Sequence, residues 1–177
     1  MLARMVFTGA VVALIGTSAA AQEAKLYTLT NLHPDTRRAL MYSTNYQQDG
    51  LIPMCTEVKQ VERNKKDAYF EIAGTKYHYE WQGNSTPEGL EPNLGKYFGP
   101  SCDKEQAAIK GLSKEDQTGI KAGMAMVGMS KQGVIYAIGY PPSSRTPSTD
   151  ADAWVYWRNR FATMLITFAD GKVVGIR

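Results

Sequence analysis

Two cysteines, Cys55 and Cys102, are the only ones in the 177-residue chain, and they follow an N-terminal segment that reads as an export signal. Arg4 supplies a positive charge, Met5 to Gly16 is almost wholly apolar, and Ala19-Ala20-Ala21 ends in the small-x-small pattern of a cleavage site. The apolar run is shorter than the roughly 20 residues a membrane span needs. Cleavage after Ala21 is expected, with no transmembrane segment left after signal removal and no Cys at the new N-terminus to carry a lipid. Removing 21 of 177 residues leaves 156, and losing Arg4 lowers the net charge of +3 by one. In an oxidising compartment such as the periplasm, two cysteines read as a disulfide. Closing a loop with 46 residues inside it contributes on the order of 4 kcal/mol, a large part of a small domain's stability. The spacing is far from Cys-x-x-Cys, so a redox pair is not expected.

That cross-link has to join two textures. Residues 22–82 read as a β-rich domain, 83–111 as a connector and 112–177 as a second unit. Sixteen Gly, eight Pro and ten Tyr favour turns and strands. Leu26 to Thr30 is rich in strand formers; Ala39 to Asn45 fits a strand or a short helix; Thr56 to Val61 alternates only partly, with Val58 out of phase with Val61. Tyr69 to Ile72 and Tyr77 to Trp81 form a hairpin pattern, with Phe70 and Ile72 on one face and Tyr77, Tyr79 and Trp81 on one face. Short strands at this spacing suit a small barrel or rolled sheet. In the connector, Leu90 to Phe98 suits one short helical turn.

From Leu112 the pattern changes. Ser113 is an N-cap for a helix over Lys114 to Ala122; because its fourth position is Asp116 rather than Glu or Gln, no capping box is expected. Ser130 caps a second helix with Val134, Ile135 and Ile138 on its apolar face, Gly139 just past its end and Pro141-Pro142 forbidding continuation. Three strands follow, Trp154–Arg158, Phe161–Phe168 and Lys172–Ile176, the last two joined through Asp170-Gly171. The whole is α+β, and its end is a helix-helix-strand-strand-strand unit with helices on one face of an antiparallel sheet.

The run Gly128-Met129-Ser130-Lys131-Gln132-Gly133-Val134, with Ala137-Ile138-Gly139-Tyr140-Pro141, resembles the opening signature of the SmpA/OmlA family. Trp154-Val155-Tyr156-Trp157, Ile166-Thr167-Phe168 and Asp170-Gly171-Lys172-Val173-Val174 are similar to the strand and hairpin that follow in that family. The resemblance covers roughly residues 116 to 177. It implies a BamE-like fold and a role like that of the accessory lipoprotein in outer-membrane assembly, or of related protein–protein docking modules. The chain differs from that lipoprotein in lacking a lipidated Cys and in carrying the β-rich first half. There, Asn31-Leu32-His33 and Gly50-Leu51-Ile52-Pro53 resemble small SH3-like exported domains.

Chemistry is sparse. His33 precedes Pro34 in a turn, and His78 sits mid-strand; two histidines and two cysteines offer no metal-ligand spacing and no nucleophile–base pair. No phosphate loop, dinucleotide fingerprint or nucleophile elbow occurs. A charge of +3 is too thin for a nucleic-acid partner. The expectation is no cofactor, no metal and no enzymatic activity. Trp154, Tyr156, Trp157, Arg158, Arg160 and Phe161 fall within eight residues, and Trp, Tyr and Arg are the residue types that dominate binding hot spots. Trp154 and Tyr156 are expected under the helices with Ile138, leaving Trp157 exposed or covered only by the first half. The expected interface is Tyr140, Pro141, Pro142, Trp157, Arg158 and Arg160, facing an envelope protein. The alternative is a periplasmic ligand- or cell-wall-binding protein using a groove beside Tyr69, Tyr77, Tyr79 or Trp81.

Overall fold

A computed structural model describes residues 25–177, so the expected export signal lies outside the described residues. The first part is a curled six-stranded sheet in the order β2-β5-β4-β3-β1-β6. Its strands are β1 (Leu26–Thr28), β2 (Leu40–Tyr42), β3 (Glu57–Arg63), β4 (Asp67–Ile72), β5 (Thr75–Glu80) and β6 (Phe98–Gly99). All neighbours are antiparallel except β2 and β5. Ala39 to Asn45, open between strand and helix in the sequence, supplies the short edge strand β2.

The β4–β5 hairpin turns through Ala73 and Gly74, both at positive φ (49° and 79°), with Ile72 paired to Thr75. Two positive φ values in a two-residue loop match the right-handed twist of the flanking strands. Alternation then sends Ala68, Phe70, Ile72 and Tyr79 into the core, and Tyr69 and His78 to the other face. Phe70 stacks on Phe98 with ring centroids 4.2 Å apart, and Leu32, Met41, Ile52, Leu90 and Tyr97 complete this core. The phase conflict in β3 is resolved by a bulge. Gln60 pairs with Phe70 and Glu62 with Tyr69, leaving Val61 unpaired and exposed while Val58 stays buried.

The connector holds more structure than the sequence shows. Besides the expected short helix α1 (Leu90–Leu94) it contains β6 and α2 (Asp103–Lys110), a helix with no buried residue. Cys102 stands at the N-cap of α2 and is disulfide-bonded to Cys55, with Cα atoms 5.5 Å apart. This ties the connector back beside β3.

Helices α3 (Lys114–Ala122) and α4 (Lys131–Ile138) cover one face of a second sheet, ordered β7 (Ala153–Trp157), β8 (Thr163–Ala169), β9 (Lys172–Ile176). Trp154 and Tyr156 are fully buried in this second core with Ile138, Val134, Ile166, Phe168 and Val173, as the alternation of β7 requires. The β8–β9 hairpin turns through Asp170 and Gly171, again at positive φ (48° and 71°).

One expectation is corrected here. A capping box is present in α3: Ser113 Oγ accepts the Asp116 N–H, and Asp116 Oδ2 accepts the Ser113 N–H at 3.3 Å. Aspartate closes the box here through Oδ2, and its other oxygen serves a second helix. Asp116 Oδ1 accepts from the N–H of Ser130 at 2.7 Å and from its hydroxyl at 3.1 Å. A buried carboxylate thus fixes the N-termini of both α3 and α4.

Candidate functional site

The Tyr140-Pro141-Pro142 turn is not an accessible contact surface: Pro141 and Pro142 are buried and Tyr140 is half-buried. The reason lies in the end of α4, whose last carbonyls have no partner within the helix. Side chains of the first half supply the donors. The Asn31 amide donates to the carbonyls of Ile120 (2.7 Å) and Ala137 (3.1 Å), and its oxygen accepts the Met54 N–H. Asn45 Nδ2 donates to Ile138 and Tyr140, both at 2.8 Å, and Gln47 Nε2 to Ile138 at 2.9 Å. The Tyr156 hydroxyl takes Gly139. The turn is therefore seated in a socket, and three of the six expected interface residues belong to an internal joint.

His33 belongs to the same joint. Its Nε2 lies 3.2 Å from the Ala137 carbonyl, so that nitrogen carries a proton and donates. Burial lowers the pKa of His33, against the Ala137 hydrogen bond that raises it. His78 is elsewhere, on the outward face of β5, with Nε2 2.7 Å from Asp67 and its ring stacked on Tyr69 at 4.7 Å. Hydrogen bonding by His78 holds the Asp67 carboxyl below its usual range. Among the described residues no three His, Cys, Asp or Glu side chains are placed to hold a metal ion, and no helix is long and apolar enough to cross a membrane. The four aromatic residues of the alternative groove do not line one hollow. Tyr79 is in the core, Tyr69 is on the opposite face, and Trp81 Nε1 is engaged with the Thr86 carbonyl.

Trp157, Arg158 and Arg160 remain at the surface. Trp157 lies on the face of the second sheet turned away from the helices, beside Val155 and Leu165, which are paired across β7 and β8. The Arg145 guanidinium sits 5.5 Å from the Trp157 ring centre, and the register places Arg177 opposite Leu165 on the same face. All three apolar side chains are only half-buried.

Beyond Trp157 the β7–β8 loop closes through the Arg158 N–H donating to the Ala162 carbonyl at 2.9 Å. Asn159 Oδ1 accepts the N–H groups of Phe161 and Ala162 at 2.8 and 3.0 Å. This local scaffold presents Arg160 and Phe161, whose residue is 89% exposed. They form one wall of a cleft of about 590 Å³ whose other wall is Arg38, Tyr42, Tyr46 and Gln82 from the first half. Asn45, at φ 55°, turns the chain so that the Tyr46 ring meets Tyr42 edge-on at 5.0 Å. Burial pushes the Tyr46 hydroxyl up, with Tyr42 adding to this and Arg160 opposing it across the cleft.

The sequence analysis singled out Arg160 and Phe161 and did not single out the residues of the other wall. The Arg37-Arg38 pair and the Tyr42-x-x-x-Tyr46 spacing were the available signals, in a segment too short for its periodicity to decide. Comparison of the chain with protein-family models, with curated proteins and with solved structures finds no match.

Proposed function

We propose that this chain is an exported protein–protein interaction module of the cell envelope, docking through the outer face of its second sheet. Residues 112–177 are read as a BamE-like unit of the SmpA/OmlA type, and the first half as the support that seats it. Supporting this reading is the order helix, helix and three antiparallel strands, with an Asp-Gly turn between the last two. The observation that carries it is the half-exposed Trp157 under Arg145, beside Val155 and Leu165 and next to the exposed Phe161. A half-buried tryptophan with an arginine 5.5 Å from its ring centre, at the edge of a sheet face that the helices leave open, has the composition of a binding hot spot. Export is the reading of the N-terminal signal, and with it goes a periplasmic location. No reaction is assigned: the module acts by binding.

The test is affinity capture from envelope extracts with the mature chain and its Trp157→Ala variant. A species held by the first and weakened about 30-fold or more by the second, at an unchanged melting temperature, is the expected result; that factor corresponds to a hot spot of about 2 kcal/mol. Equal capture by both chains would refute the assignment of the face.

A further inference from the structure

We propose that the cleft between the two halves holds a carboxylate-bearing peptide segment, with Arg160 as its ion pair. The inference rests on the reading of the chain as a docking module, and it specifies the chemistry of what is docked.

Three observations carry it. The first is size and place: about 590 Å³ falls within the range of ligand sites, roughly 300–1,000 Å³, and such sites favour the seam between structural units. The second is charge. Arg160 has no carboxylate within ion-pair distance among the described residues, although the loop that carries it is held by the Asn159 and Arg158 hydrogen bonds. Two acidic groups bonded to residues of the cleft wall are already engaged. Asp35 is 2.6 Å from Arg38 Nε, and Glu80 accepts from Gln82 Nε2 at 2.9 Å. Arg38 donates to Asp35 through Nε and also hydrogen-bonds Tyr42, so it stands in the cleft wall as a second positive charge. The third is the apolar component. Phe161 is nearly bare in water at the mouth, opposite the Tyr42–Tyr46 pair.

A guanidinium recognises a carboxylate through two parallel N–H donors, and the paired Tyr42 and Tyr46 rings can take the apolar carbons beside it. A neutral glycan would use the amides and the rings but leave Arg160 uncompensated. A nucleic acid would require a longer basic track than two arginines provide.

The probe is acetylated pentaglutamate amide, titrated into the full mature chain at low and at physiological salt by calorimetry and by following arginine Nε–H resonances. Pentaglutamine amide, sodium acetate and an oligogalacturonate serve as comparisons. The expected result is binding of pentaglutamate with shifts at Arg160 and Arg38. Affinity should be at least about tenfold weaker for pentaglutamine and for the Arg160→Gln chain, and unchanged in Lys104→Gln, which removes an exposed charge on α2. Equal loss in Arg160→Gln and Lys104→Gln would show only diffuse attraction and overturn the proposal. Saturation by acetate with no gain from the peptide would reduce the cleft to an oxyanion site, and tighter binding of the oligogalacturonate would make it a glycan site; either result overturns it. Failure here with Trp157-dependent capture intact defeats this inference alone. Pentaglutamate binding without any captured partner defeats the docking reading instead.

Discussion

Asp116 Oδ1 occupies the space where a first side-chain carbon on residue 133 would lie, so Gly133 is what lets one carboxylate reach Ser130. A glycine inside a helix ordinarily costs about 1 kcal/mol relative to alanine. Here the backbone of α4 must pass against the side chain that caps it.

Gly133→Ala should therefore destabilise the protein despite the better helix propensity of alanine. Displacing the buried carboxylate loosens its contacts with both Ser113 and Ser130, and an overpacking cost of about 1–3 kcal/mol is expected. Urea unfolding of the variant measures this directly. A higher midpoint would show that α4 can move away from Asp116 without loss.

The socket around the end of α4 makes an equally specific claim. Asn31→Ala removes the donor to two buried carbonyls and the acceptor for the Met54 N–H. Groups left unpaired in the interior cost about 1–3 kcal/mol each before any rearrangement, so a loss of about 3 kcal/mol is expected. Calorimetry should show the whole melting transition shifting, since the joint links both cores. A variant that melts like the parent would mean water replaces the amide freely.

Acid should act in two steps. His33 has a lowered pKa when folded, so both states are neutral above its ordinary value of 6.5. Below that pH the unfolded chain takes up the proton first, and stability falls until the folded value is passed. Glu88 behaves differently. Burial alone would raise its pKa, but hydrogen bonds from Lys96, Asn93 and Ser143 outweigh this and bring it down to about 2. Its contribution is complete above the ordinary 4.5 and is lost as pH falls from there toward about 2. Stability measured against pH should lose the first step in His33→Gln, and the second should shrink in Glu88→Gln, with Asp67, also held below its usual range, carrying part of what remains. If His33→Gln keeps the full slope just below pH 6.5, another group titrates there.

The two hairpins invite a matched pair of substitutions. Ala73 and Asp170 occupy the first positions of equivalent turns at φ 49° and 48°. Alanine is poorly suited to that left-handed region, where asparagine and aspartate are tolerated. Ala73→Asn should raise stability by about 0.5–1 kcal/mol and Asp170→Ala should lower it by a similar amount. Urea midpoints falling in the opposite order would contradict the shared turn geometry.

These cases also show where sequence reading worked. The second unit was legible because its signals are local: Ser113, Ser130, Gly139 and Asp170-Gly171 each mark an end or a turn by their own chemistry. Helix α2 was not legible, because it buries no residue and so has no apolar stripe to reveal it. The capping box was missed for a related reason. Asp116 is too short to look like the usual partner, and its second task depends on Gly133, seventeen residues away. For the site, alternation in β7 separated Trp154 from Trp157 correctly. Tyr140, Pro141 and Pro142 were misplaced because their burial is imposed by Asn31, Asn45 and Gln47, roughly a hundred residues upstream.

The same long-range dependence bears on how the chain could be dissected. Severed before Leu112, the trailing fragment would carry α4 with its terminal carbonyls stripped of amide donors, and the leading fragment would keep three amides with nothing to receive them. Neither piece would be a finished module. The helix-helix-sheet unit that ends this protein is thus completed by the chain's own preceding sequence, and grafting it onto another scaffold would require carrying Asn31, Asn45 and Gln47 along.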